Sequence, residues 1–74
     1  MELSLYTDGG SEGNGGLASI AWIIDNATGQ ILRDGVEVIG PATNNQAEYR
    51  ALIAGLQACL SFRPTRIRCY SDSE

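Results

Sequence analysis

Thr43-Asn44-Asn45-Gln46-Ala47-Glu48-Tyr49 reads as the start of a helix with a carboxylate directed inward. Thr43 can serve as N-cap. Gln46, three residues later, can return its side-chain amide to the Thr43 backbone, the reciprocal arrangement of a capping box. From Ala47 to Leu60 the residues favour helix and proline is absent, so the pattern predicts a helix from Asn44 to about Ser61. Along it Glu48, Leu52, Gly55, Leu56 and Cys59 recur at helical intervals and form the stripe expected to face a core. A carboxylate on that stripe is unfavourable unless something compensates it. A bound metal, an arginine partner or a cleft at the first turn would each do so. The plainer alternative is an acid eased by the positive end of the helix.

Working outward, Arg63-Pro64-Thr65 breaks the helix and Arg66 to Ser71 predicts a strand. Three strands precede the helix. Leu3 to Asp8 alternates and is closed by Asp8-Gly9-Gly10. Leu17 to Asp25 alternates little, as expected of a strand covered on both faces, with Trp22 in the core. Ile31 to Ile39 is more polar, as suits a sheet edge, and Gly40-Pro41 breaks it. The glycine-rich turn over 11–16, with Asn14-Gly15 at its tip, has no Walker pattern and no helix after it, so it reads as a plain hairpin. An antiparallel meander, then a helix, then a strand parallel to the first is an α/β arrangement: a mixed sheet in the order β-β-β-α-β.

Composition bounds the function. The chain has 74 residues, a single domain or part of one over 1–74, near the lower size limit for a self-sufficient core. With 43% hydrophobic and 19% charged residues it is not a disordered tail. Its net charge of −4, with five arginines and no lysine, excludes a broad basic footprint for nucleic acid but not a local metal site. There is no histidine, and Cys59 and Cys69 have no zinc-ligand spacing, so both are expected as buried free thiols. The longest apolar run, Leu17 to Ile24, is too short to span a bilayer, and Met1-Glu2-Leu3 begins no signal peptide. A cytoplasmic location without membrane partners is the expectation.

One local echo carries the chemistry. Tyr6-Thr7-Asp8-Gly9 and Tyr70-Ser71-Asp72-Ser73 repeat aromatic, hydroxyl, aspartate, small residue at the ends of the first and fourth strands. If those strands are parallel neighbours, Asp8 and Asp72 lie side by side at the carboxyl ends, where open sheets place ligands. The helix start then brings Glu48 to the same end. Either aspartate alone is equally well an ordinary turn residue. Three converging carboxylates, however, cannot all stay ionised without a cation. Hard oxygen donors with neither imidazole nor thiolate suit Mg²⁺ or Mn²⁺. Such sites serve phosphodiester chemistry, commonly with two ions ~3.5–4 Å apart.

Tyr-Thr-Asp-Gly-Gly at 6–10, Thr-Asn-Asn-Gln-Ala-Glu-Tyr at 43–49 and Tyr-Ser-Asp-Ser at 70–73 together resemble type 1 ribonuclease H in order, spacing and context. The resemblance implies a mixed five-stranded sheet with flanking helices and endonucleolytic hydrolysis of the RNA strand of an RNA–DNA hybrid. It implies that Asp8 bridges two metal ions, and that Glu48 and Asp72 bind the ion on the leaving-group side, Glu48 also near the substrate 2′-hydroxyl. It makes Gly9 and Gly10 points of close approach to the RNA strand. It makes Asn44, Asn45 and Gln46 substrate contacts, against a plain capping role for Asn45 and Gln46. The family's fourth acid, fifth strand, later helices, basic protrusion and mobile histidine have no counterpart in the chain. The expectation is therefore a weak or inactive chain, with an exposed fourth-strand edge through which copies associate. The alternatives are a non-catalytic half-domain for hybrid binding or oligomerisation, and an integrase-like or junction-resolving nuclease of the same superfamily.

Overall fold

Leu3, Leu5 and Thr7 are buried while Tyr6 and Asp8, which alternate with them, are exposed. One face of the first strand is therefore covered and the other open. The computed structural model describes residues 1–13 and 15–71, so the expected hairpin tip at Asn14-Gly15 lies partly outside the described residues. The elements are β1 (Glu2–Ser11), β2 (Leu17–Asn26), β3 (Ile31–Pro41), α1 (Asn44–Leu60) and β4 (Arg66–Ser71). They form a four-stranded sheet in the order β3-β2-β1-β4, with β4 parallel to β1 and the other pairs antiparallel. α1 packs on one face, over β1 and β2. This is the mixed α/β architecture that the pattern predicts.

Three expectations about the strands are corrected. β1 does not end at Asp8-Gly9-Gly10 but runs on to Ser11, because Gly9, Gly10 and Ser11 keep partners on β2 in Ile20, Ser19 and Ala18. The ladder outweighs the low strand preference of glycine. β3 likewise runs through Gly40 to Pro41, with a register shift opposite Ala18/Ser19 and Gly40 at φ +84°. Proline is tolerated there because β3 is an edge strand. Finally, β2 alternates instead of being covered on both faces. Ala18, Ile20 and Ile24 are buried and Ser19 and Ile23 exposed, since only one face carries a helix. Trp22 is half-buried against the core with the Arg33 guanidinium 5.9 Å from its ring, and Gly35 leaves the space that the indole fills.

The helix is where propensity and packing agree. Thr43 Oγ1 accepts from the Gln46 backbone N–H at 3.1 Å, and Gln46 Oε1 accepts from the Thr43 N–H at 2.9 Å, completing the box. Thr43→Ala is expected to cost about 1 kcal/mol, a drop of about 4–8 °C in the melting midpoint read by circular dichroism. The fully buried stripe differs from the one expected: it is Ala47, Ala51, Gly55 and Cys59, with Leu52 and Leu56 half-buried on its flank. Small residues win the centre because Leu5 rises from β1 into the space above Gly55, where a Cβ would lie 2.6 Å from Leu5 Cδ1.

Both cysteines are free, but only Cys59 is buried; Cys69, on the narrow edge strand, is exposed. Burial, and secondarily the Cys69 thiol, push the Cys59 thiol above its ordinary 9.0. The folded state thus holds that proton more tightly, so this share of stability is intact below pH 9.0 and is lost as pH rises through the raised value. A chromogenic disulfide reagent is expected to titrate one thiol rapidly in the folded chain and the second only on unfolding, with mass mapping placing the fast one at Cys69.

Candidate active site

The parallel register between β1 and β4 aligns the two halves of the echo. Tyr6 pairs with Tyr70 and Thr7 with Ser71. The two rings stack with centroids 5.1 Å apart and planes 15° from parallel. Asp8 is the next residue on β1 and is exposed. Asp72, next after Ser71 in sequence, lies outside the described residues.

Gly9 carries β1 against the first turns of α1. A Cβ at this position would run into the Ala47 carbonyl oxygen and lie 2.7 Å from the Glu48 nitrogen. The backbones that hold Asp8 and Glu48 are therefore in direct contact. Glu48 is half-buried and lines a cleft of ≈380 Å³ with Thr7, Asn45, Tyr49, Leu52 and Ser71. Strand alternation places Asp8 with Tyr6, on the sheet face opposite Leu5 and Thr7, while Glu48 enters from the α1 side. The two acids thus share one end of the sheet and approach it from its two faces. Among the described residues no three acidic, histidine or cysteine side chains converge.

Electrostatics narrows the choices for Glu48. Among the described residues the one ion pair is Arg68–Glu2, at 3.9 Å and far along β1 from Asp8, so no arginine compensates either acid. The first turn of α1 carries no acid, and Glu48 sits beyond it, where the helix-end field has fallen off. Glu48 therefore meets solvent in the cleft, with Asp8 exposed at the same end of the sheet. The donors are hard oxygens. Cys59 lies in the core and Cys69 pairs with Leu5, two residues before Thr7, so no thiolate stands at this end. That donor set fits Mg²⁺ or Mn²⁺.

The other candidate residues separate. Gln46 gives its Oε1 to the capping box. Asn45 is not the cap, which is Thr43, and instead lines the cleft beside Glu48. At Gly9 α1 occupies the side-chain space, a packing reason for glycine that stands beside the expected approach of the RNA strand. Gly10 has no such neighbour: the nearest atom to a Cβ there is Asn44 Oδ1, at 4.0 Å. Asn44 accepts at Oδ1 from Ser11, through its backbone N–H at 2.8 Å and its hydroxyl at 3.1 Å. Backbone bonds from Gly15 N–H to Ala42 O and from Ala42 N–H to Gly16 O lace the same hairpin to the entrance of α1. Sequence reasoning missed Ser11 because its partner is 33 residues away and no local pattern links them.

Comparison with known proteins gives four findings. A family model described as reverse transcriptase-like matches residues 6–74. Ribonuclease HI of Halobacterium salinarum is 46% identical over 69 residues, covering 93% of this chain and 35% of that protein. Among solved structures, RNase H1 of Halobacterium salinarum superposes with a TM-score of 0.94 at 43% identity, covering 100% of this chain and 56% of that one. LC11-RNase H1, solved in complex with an RNA/DNA hybrid, superposes with a TM-score of 0.91 at 37% identity, covering 97% and 55%. The chain thus spans about half of the solved relatives and about a third of the Halobacterium salinarum protein.

Proposed function

We propose that this chain, which belongs to the reverse transcriptase-like family and matches the N-terminal half of type 1 ribonuclease H domains, carries the acidic centre of a Mg²⁺- or Mn²⁺-dependent endonuclease for the RNA strand of RNA–DNA hybrids. The observation that carries the reading is the Tyr6↔Tyr70, Thr7↔Ser71 register beside the Gly9–α1 contact. It brings the elements bearing Asp8 and Glu48 to one end of the sheet and leaves Asp72 as the next residue of β4's sequence. The solved hybrid complex of LC11-RNase H1 supports the choice of substrate.

Asp8, Glu48 and Asp72 would hold the divalent ions, as the three motif acids of the family. When bound, such ions activate a water nucleophile and neutralise charge developing on the phosphate and the leaving oxygen. The chain's own part is to fix the carboxylates. Asp8 is held by the β1–β2 ladder, and Glu48 by a helix whose start is locked by the Thr43–Gln46 box. Asn44, Asn45 and Gly10 line the approach, where amide donors and an open backbone suit a phosphate–sugar strand.

A substrate panel tests this. With Mg²⁺, cleavage of an RNA–DNA hybrid and of neither duplex DNA nor duplex RNA is the expected result, at a low rate for the 74-residue chain alone. Equal cleavage of duplex DNA and hybrid would assign the chain to a different nuclease branch. A second reading, a half-domain that binds hybrid or self-associates without cleaving, is favoured by the exposed β4 edge and by the exposed Tyr6, Ile23, Val36, Val38 and Tyr70 on the open sheet face. Asp8→Ala separates the two. Loss of Mg²⁺ binding with unchanged gel-filtration size supports the nuclease, and an acid that can be removed without effect on metal supports the module.

A further inference from the structure

We propose that a second copy of this chain docks on β4, antiparallel and in one register, so that a single sheet runs through both copies and the two Cys69 residues face each other across the axis. This stands apart from the nuclease reading and gives the self-association reading a defined geometry. Among the described residues no strand lies beyond β4, and all of its residues but Ile67 are exposed. Such an edge offers its outward backbone groups to another strand.

Symmetry restricts how two such edges meet. A two-fold axis joins them antiparallel and keeps both α1 helices on one side of the combined sheet. Residues opposite one another must then share a face. The β1–β4 register supplies the faces. Arg66, Arg68 and Tyr70 stand beside Glu2, Ser4 and Tyr6 on the open face, and Ile67, Cys69 and Ser71 stand beside Leu3, Leu5 and Thr7 on the α1 face. Centring the pair on Ile67 sets each Arg66 against the other copy's Arg68. Centring it on Arg68 sets the two Arg68 guanidinium groups against each other. Like charges directly opposite are destabilising. Centring on Tyr70 pairs only 69–71 of β4. Centring on Cys69 pairs 67–71 and puts no cation opposite a cation.

In that register Arg68 lies across from the second copy's Tyr70, whose ring is already stacked on Tyr6, an aromatic surface suited to a guanidinium. Arg68 can turn to it, because its 3.9 Å pair with Glu2 is solvent-exposed on both sides and holds it weakly. The second copy's Ile67 falls opposite Ser71, which lines the Glu48 cleft on the same face. The docked strand therefore borders the candidate active site.

The experiment uses the 74-residue chain. Sedimentation equilibrium over a concentration series is expected to show monomer in exchange with a species of twice 7.9 kDa. Diamide takes one hydrogen from each of two thiols as their sulfurs join, and is expected to trap a Cys69–Cys69 disulfide, located by mass mapping. In a Cys69→Ser, Arg68→Cys chain each new thiol faces the other copy's Tyr70, so the same oxidant is expected to trap no dimer at position 68. Cys69→Glu puts two carboxylates on the axis and is expected to raise the dimer dissociation constant by about tenfold or more, with circular dichroism unchanged. Trapping at Cys69 needs no substitution, so it decides even where Cys69→Glu fails to fold. A chain that sediments as monomer throughout overturns the proposal. So does a dimer trapped through position 68 and not 69, or one indifferent to Cys69→Glu. A monomer that cleaves hybrid removes this proposal and leaves the nuclease reading standing.

Discussion

Asp8→Asn is expected to abolish Mn²⁺ binding by water-proton relaxation and to reduce metal-dependent hybrid cleavage by at least about 10³-fold, with the fold intact. Asparagine keeps the size and planarity of the side chain, so the exposed site on β1 and its pairing with Ala21 are undisturbed. What is lost is the negative charge, on which a hard cation depends. Stability should hold: Asp8 is exposed and makes no ion pair among the described residues, so the melting midpoint stays level. Few structural acids would show that pairing of lost metal binding with retained stability. Glu12→Gln, an exposed acid on the hairpin, is the matched control and is expected to change neither readout. Mn²⁺ binding that survives Asp8→Asn would remove the metal site from this end of the sheet.

The parts of this fold that could be read in the sequence are those set by local chemistry. Thr43 and Gln46 announce the helix start because a capping box is made within four residues. β4 is read with its observed bounds because proline and arginine mark one side and an abrupt change of pattern the other. The Tyr6/Tyr70 echo gave the parallel register because like residues in neighbouring strands stack. What could not be read depends on partners far along the chain. β1 outlasts Asp8-Gly9-Gly10 only because β2 offers partners, and a strand cannot announce its neighbour's length. The buried centre of α1 fell on Ala47, Ala51, Gly55 and Cys59 because Leu5 needs room there, a fact about β1. Half-coverage of β2 was hidden for a similar reason: its apolar run looks the same whether one face or two are packed. The site divides along the same line. Asp8 and Glu48 were singled out as candidates from motif and periodicity, whereas the Ser11–Asn44 contact could not be read there.

The two adjacent glycines give the other large effect, and they are expected to fail in opposite ways. Gly9→Ala adds one carbon into space held by the Ala47 carbonyl and the Glu48 nitrogen, both backbone atoms that no rotamer change can move aside. Either β1 or the first turns of α1 must shift. Overpacking of this kind costs about 1–3 kcal/mol or more. A core of this size supplies only about 3–5 kcal/mol in all. The substitution should therefore remove much of the chain's stability, lowering the melting midpoint by about 4–8 °C per kcal/mol, or leave it unfolded at 37 °C. Gly10→Ala meets nothing nearer than Asn44 Oδ1, at 4.0 Å, and replaces glycine in a strand, so its stability should be unchanged or raised by a few tenths of a kcal/mol. If a nucleic-acid strand passes this backbone, the same methyl group weakens hybrid binding several-fold in a chain that melts normally. A Gly9→Ala chain that melts like wild type would show that the contact between β1 and α1 is looser than the 2.7 Å approach to the Glu48 nitrogen implies, and with it would go the physical basis for holding Asp8 and Glu48 together.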